Sequence, residues 1–312
     1  MSMERVSPIA PATGGRRQRP GRLKDTQTAI LLVLPAAALL LAIIVYPLLN
    51  SMLIGFLDKS LIYGGGAFVG FKNLEAVLNN EFIPVLGNTL VFAIGATLLP
   101  FFIGFGAALI LNGPIPARGF LRGAFLLPWL VPSVIASFLW LWIFNANYGV
   151  LNGFLRSLGV LSQNNSWLSS GGSAMLAVLI AKTWQTFPWI AVMLLAGLQT
   201  IPADQMESAA IDGANRWNRF THVTLPHLRN VIGIVLLLSL IWNFQHFETI
   251  YVMTQGGPAK ATTTFSVAVY QTAFQAFDLG KAGALGILWM LLLSIVVIVY
   301  LRFGMRGEED FA

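Results

Sequence analysis

Cysteine is absent from the 312-residue chain. That excludes a disulfide framework, a thiolate metal site and a cysteine nucleophile. Charge is almost as scarce: Asp, Glu, Lys and Arg together make up 10% of the residues, and hydrophobic residues make up 56%. An ordinary soluble domain carries about 25% charged residues. So few charges cannot cover the surface of a soluble chain of this size, which excludes a cytosolic enzyme, a disordered tail protein and a nucleic-acid binder, despite the net charge of +6. The three histidines, His222, His227 and His246, form no convincing metal cluster. A Gly-x-x-x-x-Gly-Lys-[Ser/Thr] loop, which cradles nucleotide phosphates on backbone N–H groups, is missing as well.

What the chain has instead is long uncharged runs. Asp25 to Asp58 encloses 32 uncharged residues, Glu81 to Arg118 36, and Arg122 to Arg156 33. From Ser157 to Ala203 the only charge is Lys182. Arg229 to Glu248 encloses 18 and Lys281 to Arg302 20. A helix crossing the hydrocarbon core needs about 20 mainly apolar residues. The runs predict six spans, at 29–50, 85–111, 119–144, 174–199, 230–253 and 281–303. The first is far longer than the apolar core of a cleaved signal peptide and lacks a clean cleavage site, so it is expected to be retained.

Lysine and arginine set the orientation. With the N-terminus inside, the cytoplasmic segments hold 13 of the 19 basic residues and the outer segments hold five: Lys59, Lys72, Arg156, Lys260 and Lys281. Lys182 lies within a span. Both termini are therefore expected to be cytoplasmic. The outer segments contain a Gly64-Gly65-Gly66 run, expected to be a flexible turn. They also contain an asparagine-rich stretch (Asn145, Asn147, Asn152, Asn164, Asn165) with Tyr148 and Trp167, and a Gly256-Gly257-Pro258 loop. Prolines at 35, 47, 100, 128, 132 and 188 fall within spans, where they mark kinks. The halves show no convincing repeat, which speaks against an inverted-repeat secondary transporter.

The longest well-patterned internal segment is Ile201 to Asn230. Pro202 opens a short helix. Asp204 and Glu207 have the spacing of a capping box with Asp204 as the cap, and Gly213 suits the left-handed end of a helix. A second helical piece, Asn215 to Thr224, places Trp217, Phe220 and Val223 on one face, and Pro226 is expected to break it before the fifth span. Ser208, Ala209 and Ala210 let another backbone approach closely. An ordinary amphipathic helix lying on the membrane accounts for part of this pattern. A docking element for a cytoplasmic partner accounts for more of it.

The stretch Glu207-Ser208-Ala209-Ala210-Ile211-Asp212-Gly213-Ala214, followed by Trp217, Phe220 and Leu225-Pro226, resembles the EAA motif of ABC importer permeases. Ser208 stands where that family's consensus has alanine. The resemblance continues through Phe68-Val69-Gly70-Phe71-Lys72-Asn73, Asn88-Thr89, Leu126-Leu127-Pro128-Trp129 and Gly149-Val150-Leu151-Asn152. It includes Trp184 with Pro188, Leu194 to Gln199, and Tyr251 through Gly257-Pro258-Ala259. Together these cover residues 28–305 and resemble the carbohydrate permeases; the Gly-Gly-Pro loop is similar to that of the MalF- or UgpA-like subunit.

The resemblance implies an all-α polytopic membrane protein of the type I ABC importer permease fold. Its parts would be a cytoplasmic tail over 1–28, a six-helix domain over 29–305 and a short tail over 306–312. Glu207, Ser208, Ala209, Ala210, Asp212 and Gly213, within the coupling segment 201–229, would contact the ATPase. The function implied is import of a sugar or sugar derivative across a bacterial inner membrane by a non-catalytic subunit. Its partners would be a second, MalG-like permease, an ATP-binding cassette ATPase dimer and an extracytoplasmic solute-binding protein. No cofactor is expected on this chain, ATP and Mg being held by the ATPase. The rival reading is an ion-coupled secondary transporter or channel, which has no need of the elbow.

Sugars are bound by aromatic faces and hydrogen-bonding edges. Candidates for the substrate path are Lys182, Trp184, Gln185, Asn243, Gln245, His246, Glu248 and Tyr251. Much of the tryptophan belongs equally well to interfacial belts. Lys182 lies about 12 Å below the outer end of its span and Glu248 about 8 Å below that of its own. Lys182 therefore has three open readings: it snorkels to the interface, pairs with Glu248, or lines the path. The resembling family more often has a neutral or acidic residue there, a departure that hints at an anionic sugar.

Overall fold

The computed structural model describes residues 25–114 and 116–304. The tail 306–312 and most of the tail 1–28, with the basic residues counted there, lie outside them. The chain divides into two units, residues 1–50 and 51–312. In the first, α1 (Asp25–Leu40) runs through a π turn (Leu41–Val45) into α2 (Tyr46–Ile54).

The second unit takes in the last residues of α2 and then a hairpin, β1 (Leu57–Ser60) and β2 (Gly64–Phe68), paired antiparallel with Leu57 opposite Phe68. The three glycines are thus the return strand rather than a turn. Gly64 and Gly65 take φ of 72° and 91°, which only glycine adopts at little cost. Then come α3 (Lys72–Asn80) and the long α4 (Phe82–Asn112). They lead to α5 (Arg118–Phe125), α6 (Leu127–Leu130), α7 (Ser133–Ile143), α8 (Val150–Ser157) and α9 (Gly171–Leu198). The C-terminal part comprises α10 (Ala203–Ile211), α11 (Arg216–Arg219), a second π turn (Phe220–Thr224), α12 (Leu225–Phe244), α13 (Glu248–Thr254), α14 (Phe265–Phe274) and α15 (Leu279–Gly304).

Among the described residues, five helices are long and apolar enough to cross a membrane: Gln27–Ile54, Phe82–Asn112, Gly171–Leu198, Arg216–Phe244 and Leu279–Tyr300. The sixth expected span, 119–144, is broken. Gly119–Leu130 and Ser133–Ile143 meet at 88°. Pro132 causes the break: it has no N–H to donate, and it forces Val131 into an extended conformation with ψ of 126°. The freed Val131 carbonyl accepts from Gln185 Nε2 at 2.9 Å. The fifth span also differs from 230–253. Its helix ends at Phe244, and a new one starts at Glu248.

Helix α9 is the spine. One apolar cluster gathers Phe92, Phe144, Val178, Ile250 and Val267 around its first half. A second gathers Phe101, Ala108, Ile190, Leu194, Leu228 and Val235 around its second half. Within lipid the hydrophobic effect cannot drive helices together, so close packing of small residues must. Gly95 and Gly104 supply it, letting α4 sit against Leu179 and against the Phe187–Ala191 backbone of α9. Asn243 fastens α12 to α4, its Nδ2 donating to Ala96 O at 2.9 Å and Thr97 Oγ1 at 3.2 Å.

The asparagine-rich outer stretch folds around one side chain. Buried Asn152 donates from Nδ2 to the carbonyls of Asn145, Ala146 and Asn165, and its Oδ1 accepts from Asn165 N and Trp167 Nε1. Replacing it with leucine of similar bulk leaves the Ala146 and Asn165 carbonyls, Asn165 N–H and Trp167 Nε1–H without that partner, while Asn145 O keeps Gly149 N–H, at about 1–3 kcal/mol for each one that stays dry. Asn152→Leu should therefore lower the melting temperature of the purified protein and open residues 145–170 to protease. An unchanged melting temperature would show that water replaces the asparagine freely.

Candidate functional site

Two places concentrate polar and exposed groups: the 201–229 elbow and a cleft beside the broken helices.

The elbow starts where Arg122 of α5 ties two helix ends together. Arg122 Nη2 donates to Leu111 O at 3.2 Å, and the Gln199 side-chain oxygen, in its hydrogen-bonded orientation, takes Nη1 and Nη2 at 3.2 and 3.0 Å. Sequence reasoning missed this clamp, although Gln199 closes the Leu194 to Gln199 motif. Pro202 occupies the N-cap of α10 with no side-chain cap bond. The expected capping box does not form: Pro202 takes the N-cap two residues ahead of Asp204, which lies inside the first turn and accepts from the adjacent Gln205 N at 3.0 Å. Glu207 is exposed, as are Ser208, Ala210 and Asp212; Ala209 is half-buried.

The end of α10 is a Schellman turn. Gly213 has φ of 78°. Its N–H donates to Ala210 O at 3.1 Å, and Ala214 N–H donates to Ala209 O at 2.9 Å. Asn215 then caps α11, accepting from Asn218 N at 2.8 Å. Pro226 does not break the second helical piece from the fifth span. Arg216–Phe244 is one continuous helix, because the π turn at Phe220–Thr224 widens the ladder just where proline offers no N–H. The tip is apolar and bare: Ile211 is 86% and Trp217 68% exposed. Phe220 anchors its base against Phe105, with ring centroids 5.9 Å apart.

The cleft holds about 470 Å³ and lies where α6, α9 and the α12–α13 break meet. Lys182, Gln185, His246 and Glu248 line it with Trp129, Trp189 and Trp242. Lys182 sits eleven residues into α9, about 16 Å along the axis at 1.5 Å per residue. Both chain breaks are local consequences of sequence, Pro132 in one wall and the Gln245–Phe247 gap in the other. In a membrane such irregular backbone is tolerated only where it is buried in protein or faces a water-filled cavity.

The structure brings together only some of the candidates. Lys182 and Glu248 form no direct ion pair. His246 stands between them, its Nδ1 3.4 Å from Lys182 Nζ and 3.4 Å from Glu248 Oε2. Depth counting along two straight helices could not see this, because His246 lies in the break. Trp184 packs edge-on against Trp140 at 6.0 Å and stays outside the cleft lining. Asn243 is spent on the α4 clamp. Gln245 borders a different hollow with Tyr270 and Trp289. Tyr251 stacks on Phe247 at 4.8 Å and accepts from Gln275 Nε2 at 3.1 Å. Trp129 belongs to the Leu126 to Trp129 motif, but only the 88° bend shows it to line the cleft.

The chain matches the family model described as the binding-protein-dependent transport system inner membrane component over residues 101–306. It is 37% identical to the trehalose/maltose transport system permease protein MalF of Thermococcus litoralis, over 93% of this chain and 97% of that one. It is 36% identical to the sulfoquinovosyl glycerol transport system permease protein SmoG of Agrobacterium fabrum, over 90% and 91% of the two chains. A crystal structure of a bacterial ABC transporter involved in alginate import superposes with a TM-score of 0.78 at 22% identity, covering 90% of this chain and 96% of that one. The fold is thus that of a type I ABC importer permease, and the chain belongs to the family of inner-membrane components of binding-protein-dependent transport systems.

Proposed function

We propose that this chain is one of two permease subunits of an ATP-driven importer for a sugar or sugar derivative. Residues 29–305 form its membrane domain, and both termini lie in the cytoplasm. The elbow meets an ATP-binding cassette ATPase dimer, which carries ATP and Mg. A MalG-like permease completes the path, and an extracytoplasmic binding protein delivers the solute. The named relatives transport trehalose/maltose and sulfoquinovosyl glycerol, which supports the carbohydrate class. The observation that carries the reading is the elbow: a short helix closed by Gly213 that holds Ile211 and Trp217 bare beside small residues. A self-contained secondary transporter has no use for such a projection.

In proteoliposomes holding the whole assembly, sugar uptake should require ATP on the ATPase side and persist when ionophores collapse every ion gradient. Uptake that tracks the ion gradient without ATP would support the secondary-transporter reading instead. Orientation has its own check. A reporter fused near Gly171 should show an extracytoplasmic location, and a cytoplasmic signal there would overturn the 13-to-5 basic-residue assignment.

A further inference from the structure

The hydrogen bonds around His246 determine what Lys182 is free to do. Thr249 N–H points at His246 Nε2 from 3.3 Å, and a backbone N–H can only donate. Nε2 is therefore an acceptor, and the Thr249 hydroxyl, 2.8 Å away, donates to it as well. The neutral ring must then carry its proton on Nδ1. Nδ1 then lies 3.4 Å from Glu248 Oε2, an electrostatic contact between the ring N–H and the carboxylate. The opposite tautomer would strand the Thr249 N–H and set a bare nitrogen against a carboxylate. With the proton on Nδ1, the 3.4 Å contact from Lys182 Nζ joins two donors and is not a hydrogen bond. Among the described residues, no carboxylate lies within 4.0 Å of the Lys182 ammonium. A half-buried cation with three donors thus faces the cleft with no acceptor among those residues.

We propose that Lys182 is the receptor for an acid group on the transported sugar, a carboxylate or a sulfonate. The inference rests on the importer reading above and names the substrate class of its cleft. An unpartnered ammonium away from bulk water is costly, and an anion that completes its hydrogen bonds recovers that cost. Glu248 does not oppose this, because it makes no ion pair with Lys182 and its Oε2 lies beside the imidazole Nδ1 at 3.4 Å. A carboxylate lining the cleft can accept from sugar hydroxyls, which are donors. The faces of Trp189 and Trp242, with centroids 5.1 Å apart, offer the apolar surface a pyranose ring stacks on. The cleft therefore has a cationic end for the acid, an acceptor for hydroxyls and a ring platform.

The test uses the complete permease–ATPase assembly in lipid nanodiscs, with tryptophan fluorescence tracking the binding of three probes. These are methyl β-glucuronide, methyl 6-deoxy-6-sulfo-glucoside and neutral methyl β-glucoside. At least one acidic glycoside should bind about tenfold or more tightly than the neutral one, as expected of a charge-assisted hydrogen bond. Comparing the two acids tells carboxylate from sulfonate. Lys182→Gln should erase the preference while the assembly stays intact, and Lys182→Arg should keep most of it. If the neutral glycoside binds as tightly as both acids, or if Lys182→Gln keeps the preference, the inference is wrong. If Lys182→Gln fails to assemble, the Lys182→Arg and wild-type titrations still decide. ATP-driven uptake of a neutral sugar with no acid preference would overturn this inference and leave the importer reading standing. Uptake without ATP would overturn that reading first.

Discussion

Gly213→Val is expected to detach the ATPase on purification and to lower uptake about tenfold or more, with the membrane helices intact. No atom lies within 4 Å of where a Cβ on Gly213 would sit, so the substitution meets no steric obstacle in space. The effect is torsional. At φ of 78° an L-residue is penalised by about 1–2 kcal/mol, and a β-branched one more. The cheapest relief is to unwind the Schellman turn that aims α10. Asparagine tolerates the left-handed region, so Gly213→Asn should keep most of the activity. That pair of variants separates a mis-aimed elbow from a misfolded chain. Glu207→Ala, which removes an exposed charge from α10, should loosen the ATPase contact without changing thermal stability. Full activity in Gly213→Val would mean that the direction of α10 is irrelevant to transport.

Gly104→Leu should leave almost no correctly assembled protein. A Cβ at Gly104 would lie 2.8 Å from Phe187 O and 3.1 Å from Ala191 N. Both are backbone atoms of α9, which cannot swing aside as a side chain can. The added branch must push α4 away from the spine, opening the cluster of Phe101, Ile190 and Leu194. Overpacking of this kind costs about 1–3 kcal/mol, occasionally more, and the whole α4–α9 seam is exposed to it. Gly106 supplies the control, since nothing lies within 4 Å of a Cβ there. Gly106→Leu on the same helix should assemble normally. Equal yields of the two variants by detergent size-exclusion would refute the account of this seam.

Much of this architecture was legible because a membrane reduces folding to a linear criterion. A run of about 20 mainly uncharged residues is a candidate span wherever it falls, and the charge pattern pointed to the five long helices and to the bent pair at 119–143. What it could not locate are the breaks. Pro132 was visible, but a proline in a span is equally compatible with a gentle kink, and the 88° bend depends on Gln185 meeting the freed Val131 carbonyl from another helix. Pro226 misled in the other direction, because a π turn absorbed it. Gly64 to Gly66 advertised positive φ, and here that freedom serves a return strand with a register irregularity opposite Asp58 and Lys59. In the cleft, Lys182 stood out as the lone charge in its span. Its relation to Glu248 was hidden because His246 sits in a gap that no helical count contains. Asn243 shows the remaining ambiguity. A polar side chain inside a span must find partners, and sequence does not say whether those partners are substrate or, as here, Ala96 O and Thr97 Oγ1.

The absence of native cysteine gives the central claim a background-free probe. Ser208→Cys places a single thiol on the exposed face of α10 with almost no change in size. In the working assembly, a short thiol–thiol crosslinker should join this chain to the ATP-binding subunit, with a yield that changes when ATP is bound. If sugar uptake proceeds at the wild-type rate while that thiol stays fully open to a cytoplasmic maleimide and joins to nothing, the elbow does not couple the permease to the ATPase.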